Sequence, residues 1–317
     1  MIIIQYSQVL YNYFKQIKLT KFLSDVYIKH IMTIVLSVFI AGYKGKTTNF
    51  EYVSEHHRTT VAHFLNNGKW DSDKVQNVIK STIVDIIWNE AIKTGKPIYC
   101  TIDDTIASHT KPSSRALHPI EDAYFHMSHL KGCQDYGHQA VSVLLEYNGI
   151  VLNYAIIMYN KTKSKIEIAK NIANELPQAP VKSYFLCDSW YTSAELMEKF
   201  VIKGFYTIGA LKTNRIIFPC GIKQKINEFA GYIEKTDANV SLVTVGNRQF
   251  YVYRYEGALN NIENAIVLIT FPKEAFGNEV ALRAFISTDA SIEIDEIFMH
   301  YTERWNIKLF LDKVKHY

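Results

Sequence analysis

Two short apolar runs in this chain end in carboxylates. "PIYCTIDDT" closes on Asp103 and Asp104, and "YFLCDSWY" closes on Asp188. Aspartates at the ends of neighbouring strands supply hard oxygen ligands suited to Mg²⁺ or Mn²⁺. Two such ions roughly 3.5–4 Å apart can activate a water or a 3′-hydroxyl and stabilise the leaving oxygen of a phosphodiester. Successive strand residues point to opposite faces, so Asp103 and Asp104 cannot both look the same way. The plainer readings are an Asx turn for the pair and a helix N-cap for Asp188. A third carboxylate is sought in the last segment, "YTERWNIKLFLDKVKHY". Read as one helix from about Ile294 to the end, it places Tyr301, Arg304, Lys308 and Lys315 within an arc of about 60°. Asp312 lies one turn beyond Lys308 on that face. Trp305, Phe310 and Leu311 flank the stripe and predict a packed helix.

Other ligand types are less suggestive. His109, His118, His126, His129 and His138 lack H-E-x-x-H or similar spacing, and read as surface or phosphate-contacting histidines. Cys100, Cys133, Cys187 and Cys220 form no CxxC knuckle and read as reduced thiols of a cytosolic protein. The charge is uneven. Residues 1–100 carry 12 Lys and Arg against 7 Asp and Glu, whereas the remainder is nearly neutral, which points weakly to a polyanion contact at the N-terminal end. "IMTIVLSVFIAG" is too short for the ~20 residues of a membrane span, and "MIIIQYSQVL" has no basic n-region or cleavage site of a signal peptide.

Four regions must position these groups. Residues 1–94 read as helical, with Asp71 as a cap and a soft helix-turn-helix pattern in which Arg58, Thr59, Thr60 and His63 open a helix. A plain helical hairpin fits that stretch equally. Residues 95–212 read as strand, a long polar loop over Ile106–Asp135, a hairpin turning at Tyr147–Gly149, helix, strand, helix, strand. Residues 213–285 read as an inserted β-rich block, and residues 286–317 as the closing helix. The expected class is α/β.

These residues, in this order, resemble the DDE transposases of bacterial insertion sequences, whose catalytic core is an RNase H-like mixed sheet flanked by helices. "IDDT" is similar to the first-aspartate motif, in which the Asp directly before Thr is catalytic, implying Asp104. "YFLCDSWY" is similar to the strand of the second, implying Asp188. The signature Y-x2-R-x3-E-x6-K is matched at three of its four positions, Tyr301, Arg304 and Lys315. "GHQAVSVLLEYNGIVL", "IGALKTNR" and the β-rich block after Asp188 also resemble this branch. The resemblance implies Mg²⁺ or Mn²⁺ on Asp104 and Asp188, nicking of double-stranded DNA at element ends, attack by the freed 3′-hydroxyl, and a synaptic homodimer in the bacterial cytoplasm. It implies no organic cofactor and no membrane. Phosphate contacts are implied for Tyr301, Arg304 and Lys315; charge adds Lys212, Asn214 and Arg215.

The chain departs from the family at the third catalytic position, where Lys308 replaces glutamate. A cation there cannot ligate Mg²⁺, and the expectation is that it pairs with Asp104 or Asp188. Asp312 could substitute only if the helix slid by a turn, ~6 Å. The chain also stops two residues after Lys315, where the family continues into a dimerisation region. The sequence thus predicts a truncated copy with impaired catalysis, or a DNA-binding remnant that inhibits transposition.

Overall fold

The structure is a computed structural model that describes residues 2–40, 48, 50, 53, 56–114, 119–128 and 131–314, with side chains omitted at 2–6, 313 and 314. Lys315, His118 and His129 lie outside the described residues. The chain divides into two compact units, Met1–Ile86 with Leu309–Tyr317, and Ile87–Lys308.

The first unit is helical, as its periodicity predicts. Helices α1 (Ile2–Gln16), α2 (Asp25–Ile40), α3 (Arg58–Asn67) and the start of α4 (Ser72–Thr94) are described. Phe14, Leu19, Leu23, Ile28 and Val75 form its core. Asp71 caps α4 by accepting from the Lys74 amide at 3.0 Å. Helix α3 begins at Arg58, as expected, but most of the segment preceding it is outside the described residues.

In the second unit the strands are β1 (Tyr99–Ser108), β2 (Tyr124–Ser128), β3 (Cys133–Tyr147), β4 (Ile150–Met158), β5 (Ser183–Cys187) and β6 (Phe205–Leu211). They continue as β7 (Ile216–Ile217), β8 (Gln224–Lys225), β9 (Val240–Val245), β10 (Arg248–Leu259), β11 (Ile262–Pro272) and β12 (Arg283–Ser287). Among the described residues these twelve strands form one sheet, ordered β2-β3-β1-β5-β6-β12-β11-β10-β7-β8, with β4 also on β3 and β9 also on β10. Pairing is parallel in β1·β5 and β5·β6 and antiparallel elsewhere. Two expectations change. The 106–135 segment contains an edge strand, β2, so it is not all loop. The β-rich block is not a separate sheet, because β12 carries it onto β6.

The β3–β4 hairpin turns at Asn148 and Gly149, with φ 47° and 81°. Both angles are positive, the geometry an Asn-Gly turn adopts most readily. Helices α5 (Lys165–Glu175), α6 (Ala194–Ile202), α8 (Ile294–Thr302) and α9 (Trp305–Val314) complete the part of the unit used below, with a short α7 (Ile226–Ala230) between β8 and β9.

Alternation assigns the helices to faces. Tyr99 of β1 and Tyr184 of β5 are register partners whose rings stack at 6.2 Å. His300 of α8 stacks on Tyr184 at 4.2 Å, so α8 covers this face. Phe185, one residue on, points the other way and stacks on Phe200 of α6 at 3.7 Å. Both phenylalanines are fully buried. Truncating either leaves a ring-sized void, and Phe185→Ala is expected to cost about 3–5 kcal/mol. Urea denaturation checks this; a loss below about 1 kcal/mol would show that the helix does not depend on this contact.

Candidate active site at the ends of β1 and β5

Strand β5 is buried along its whole length and stops at Cys187, leaving Asp188 at its carboxyl end. The β1·β5 register pairs Thr101 with Leu186, and two further residues on each strand lead to Asp103 and Asp188. Asp103 and Asp188 therefore belong to the face of Tyr99, Tyr184 and α8. Asp188 accepts from the Trp190 amide at 2.8 Å, which turns the chain sharply after the strand. Gly209, partner of Cys187, packs under this turn. A Cβ there would lie 2.9 Å from Thr192 Cγ2 and 3.0 Å from Cys187 Sγ.

Asp103 is pushed up to about 6, first by burial and then by the charge of Asp188; the Asp104 amide and Arg304 act in the opposite direction. Arg304 Nη1 lies 3.5 Å from its Oδ2, and Arg304 is itself buried. The Arg304 Nε is buried without a hydrogen-bond partner among the described residues. Burial of a guanidinium is tolerable only beside a counter-charge, so Asp103 and Arg304 explain each other.

Asp104 points to the opposite face. Its carboxylate meets Lys165 Nζ at 2.9 Å, accepts from Tyr191 Oη at 3.2 Å, and takes a short hydrogen bond from Gln139. Tyr191 is fully buried, and burial followed by the Asp104 charge pushes its hydroxyl up. Geometry thus joins Asp103, and not Asp104, to Asp188. The choice between two adjacent aspartates depends on register, which no local pattern in "IDDT" reveals.

The closing helix is not continuous. A turn at Glu303 and Arg304 separates α8 from α9, so the single cationic stripe expected across Tyr301, Arg304 and Lys308 does not exist. The turn has distant causes. Arg304 swings inward to Asp103. Asn306 donates through Nδ2 to both carboxylate oxygens of Glu146 on β3, at 2.7 and 2.9 Å, and also reaches Glu303 at 3.2 Å. Lys308, in contrast, is exposed, and its ammonium sits 4.3 Å from the centre of the Trp305 ring. The aspartates pair with Arg304 and Lys165 instead, so the expected ion pair between Lys308 and Asp104 or Asp188 is not formed. Tyr301 packs on Phe285 at 5.0 Å beneath the Arg304 guanidinium, and burial pushes its hydroxyl up to about 12.

Of the other cations, Lys212 lies over the Trp190 ring at 5.2 Å, while Arg215 donates to the Thr192 carbonyl at 3.0 Å and braces the same loop. Asn214 is exposed. His109 and His138 hydrogen-bond to one another at 2.9 Å. Among the described residues no group of three or more His, Cys, Asp or Glu could hold a metal ion. Asp103 and Asp188 are of the right donor type for a hard divalent cation but number only two. Compared with known proteins, the chain matches no family model and no curated sequence. Among the described residues, no helix is long and apolar enough to cross a membrane.

Sequence inspection passed over Gln139, Lys165, Glu146 and Asn306. Lys165 opens an amphipathic helix and carries no local signal of its partner; Glu146 alone was traceable, as a carboxylate inside an otherwise apolar strand.

Two outcomes follow. Glu146 is pushed up to about 7, mainly by burial, with Glu303 adding to this and Asn306 opposing. The native state then holds more protons than the unfolded chain between the ordinary glutamate value and about 7, so this group's stabilisation is complete at low pH and falls as pH rises through that window. Glu146→Gln removes the term, and its stability relative to the parent is expected to be higher at pH 8 than at pH 5, by on the order of 2 kcal/mol. Unfolding curves at both values test it; an unchanged difference would place Glu146 in a solvated site. Asp104→Ala strands Lys165 and the Tyr191 hydroxyl, at an expected cost of about 1–3 kcal/mol in the same measurement.

Proposed function

We propose that this chain is a DNA transposase of the DDE type in architecture, which binds DNA ends while its strand cutting is disabled at Lys308. The observation that carries the reading is the placement of Asp103 and Asp188 at the ends of neighbouring parallel strands, on one face, with Arg304 against Asp103. An antiparallel hairpin on one side of β1 and parallel strands on the other, with helices on both faces, support an RNase H-like core. The first carboxylate of the site is Asp103.

Asp103 and Asp188 would hold Mg²⁺ or Mn²⁺, which when bound supplies a Lewis acid for phosphodiester chemistry. The remaining work falls to the chain. Burial of Asp103 beside Asp188 concentrates negative charge at one edge of the sheet. Arg304 offsets part of it and offers a guanidinium, the group best matched to phosphate oxygens. Tyr301 props that guanidinium from below. Position 308 contributes a cation held against Trp305, and the donor set stays one carboxylate short. This shortage favours the second reading, a non-cutting DNA-binding protein that occupies element ends and inhibits transposition.

The test is strand nicking in Mg²⁺ or Mn²⁺ of DNA ends flanking the chain's own gene. Lys308→Glu is the enabling variant. The parent is expected not to nick and Lys308→Glu to nick; adding Asp103→Asn should abolish that gain, by at least about 10²-fold. Nicking by the parent would overturn the role given to Lys308. If neither nicks but both bind with an affinity that falls steeply with salt, the non-cutting reading stands. Absence of salt-dependent DNA binding would remove both.

A further inference from the structure

Trp190 is a large aromatic residue held rigidly at the surface beside Asp188. Its side chain is 49% exposed. Its own amide is tied to Asp188 at 2.8 Å, and the next residue, Tyr191, is fully buried with its hydroxyl on Asp104. Thr192, which follows, is buried and its carbonyl is held by Arg215 at 3.0 Å. The segment is therefore anchored at successive residues while the indole between the anchors is left in solvent. An exposed tryptophan usually rests on a neighbouring apolar surface; here two ammonium groups lie over the ring instead, Lys165 at 5.3 Å and Lys212 at 5.2 Å. The two cations differ in freedom. Lys165 is mostly buried and ion-paired with Asp104, whereas Lys212 is exposed.

We propose that Trp190 is a stacking platform for an unpaired base of a nucleic acid strand, with Lys165 and Lys212 meeting the phosphates on either side of that base. Every base offers a π-face, and an aromatic ring interleaved with cations is the arrangement that holds single strands without reading their sequence. A base arriving on the indole takes the place of the Lys212 ammonium, which moves outward to the backbone phosphate. Lys165 stays, because Asp104 holds it. The platform is two residues from Asp188, so the base it takes is one next to the bond the site addresses. The inference rests on the proposed function and adds to it a specific demand: the DNA recognised here has at least one base out of the stack.

The test uses the full chain and two DNA probes carrying 2-aminopurine at the same position, one in a blunt duplex and one in a three-nucleotide 3′ overhang. Anisotropy gives affinity, and 2-aminopurine fluorescence reports stacking. The parent is expected to bind the overhang more tightly and to quench its probe. Trp190→Ala should lose the quenching and weaken overhang binding about tenfold, while blunt-duplex affinity is unchanged. Trp190→Phe should keep part of both. Lys212→Gln should lower the slope of log affinity against log salt by about 0.7–0.9, one phosphate contact. Equal behaviour of the parent and Trp190→Ala on the overhang overturns the platform and leaves the proposed function standing. Equal weakening of both probes assigns Trp190 to the duplex backbone and likewise overturns it. Failure of the parent to bind either probe overturns the platform together with the reading it rests on.

Discussion

Parallel pairing of β1 with β5 is the constraint from which the site follows. Parallel neighbours end on the same edge of a sheet, so their C-terminal residues meet there whatever the length of chain between them. The strands are joined here through a hairpin and α5, and their register is locked by buried side chains on both faces, Tyr99 and Tyr184 on one, Cys100 and Phe185 on the other. Asp103 and Asp188 are brought together at the edge against their mutual repulsion. That cost is visible in the raised Asp103 carboxyl and is offset by Arg304. The corner that delivers Arg304 is in turn held by Asn306 on Glu146.

Two layers of charge thus lie on either side of one strand. On the α8 face a guanidinium answers two aspartates; on the α5 face an ammonium, an amide and a phenol answer one. Neither face leaves its carboxylate bare. The side with the poorer charge balance is the side of Asp188, and an excess of negative charge in a partly buried edge is what attracts a cation from solution.

Much of the scaffold was legible in the sequence, because it is written in short-range patterns. "SYFLC" reads as a buried strand, "EYNGIV" as a tight hairpin and "KIEIAKNIANE" as an amphipathic helix, and each forms as read. Asp188 was legible for the same reason: it follows an apolar run directly. The misreadings share a cause of the opposite kind. "YTERW" contains neither Gly nor Pro, and its break comes from Asp103 and Glu146, far away in the chain. Choosing Asp103 over Asp104 required the β1·β5 register. Strand β2 is short, sits at an edge and borrows its regularity from β3. Continuity of the β-rich block with the core sheet rests on β12 pairing with β6, a contact that leaves no periodic mark.

Adjacent aspartates of like chemistry, one for each face of β1, have a consequence for assembly. A slip of one residue in the pairing of β1 would offer Asp104 to Arg304 and Asp103 to Lys165, so the ion pairs are nearly degenerate between the right frame and the wrong one. Charge cannot proofread this strand. Fidelity falls to the apolar residues before the pair: Cys100 and Ile102 are fully buried, and the slipped frame would drive them to the opposite face while sending Thr101 inward in their place. The residues that guarantee which carboxylate reaches Asp188 are thus ones that take no part in the chemistry.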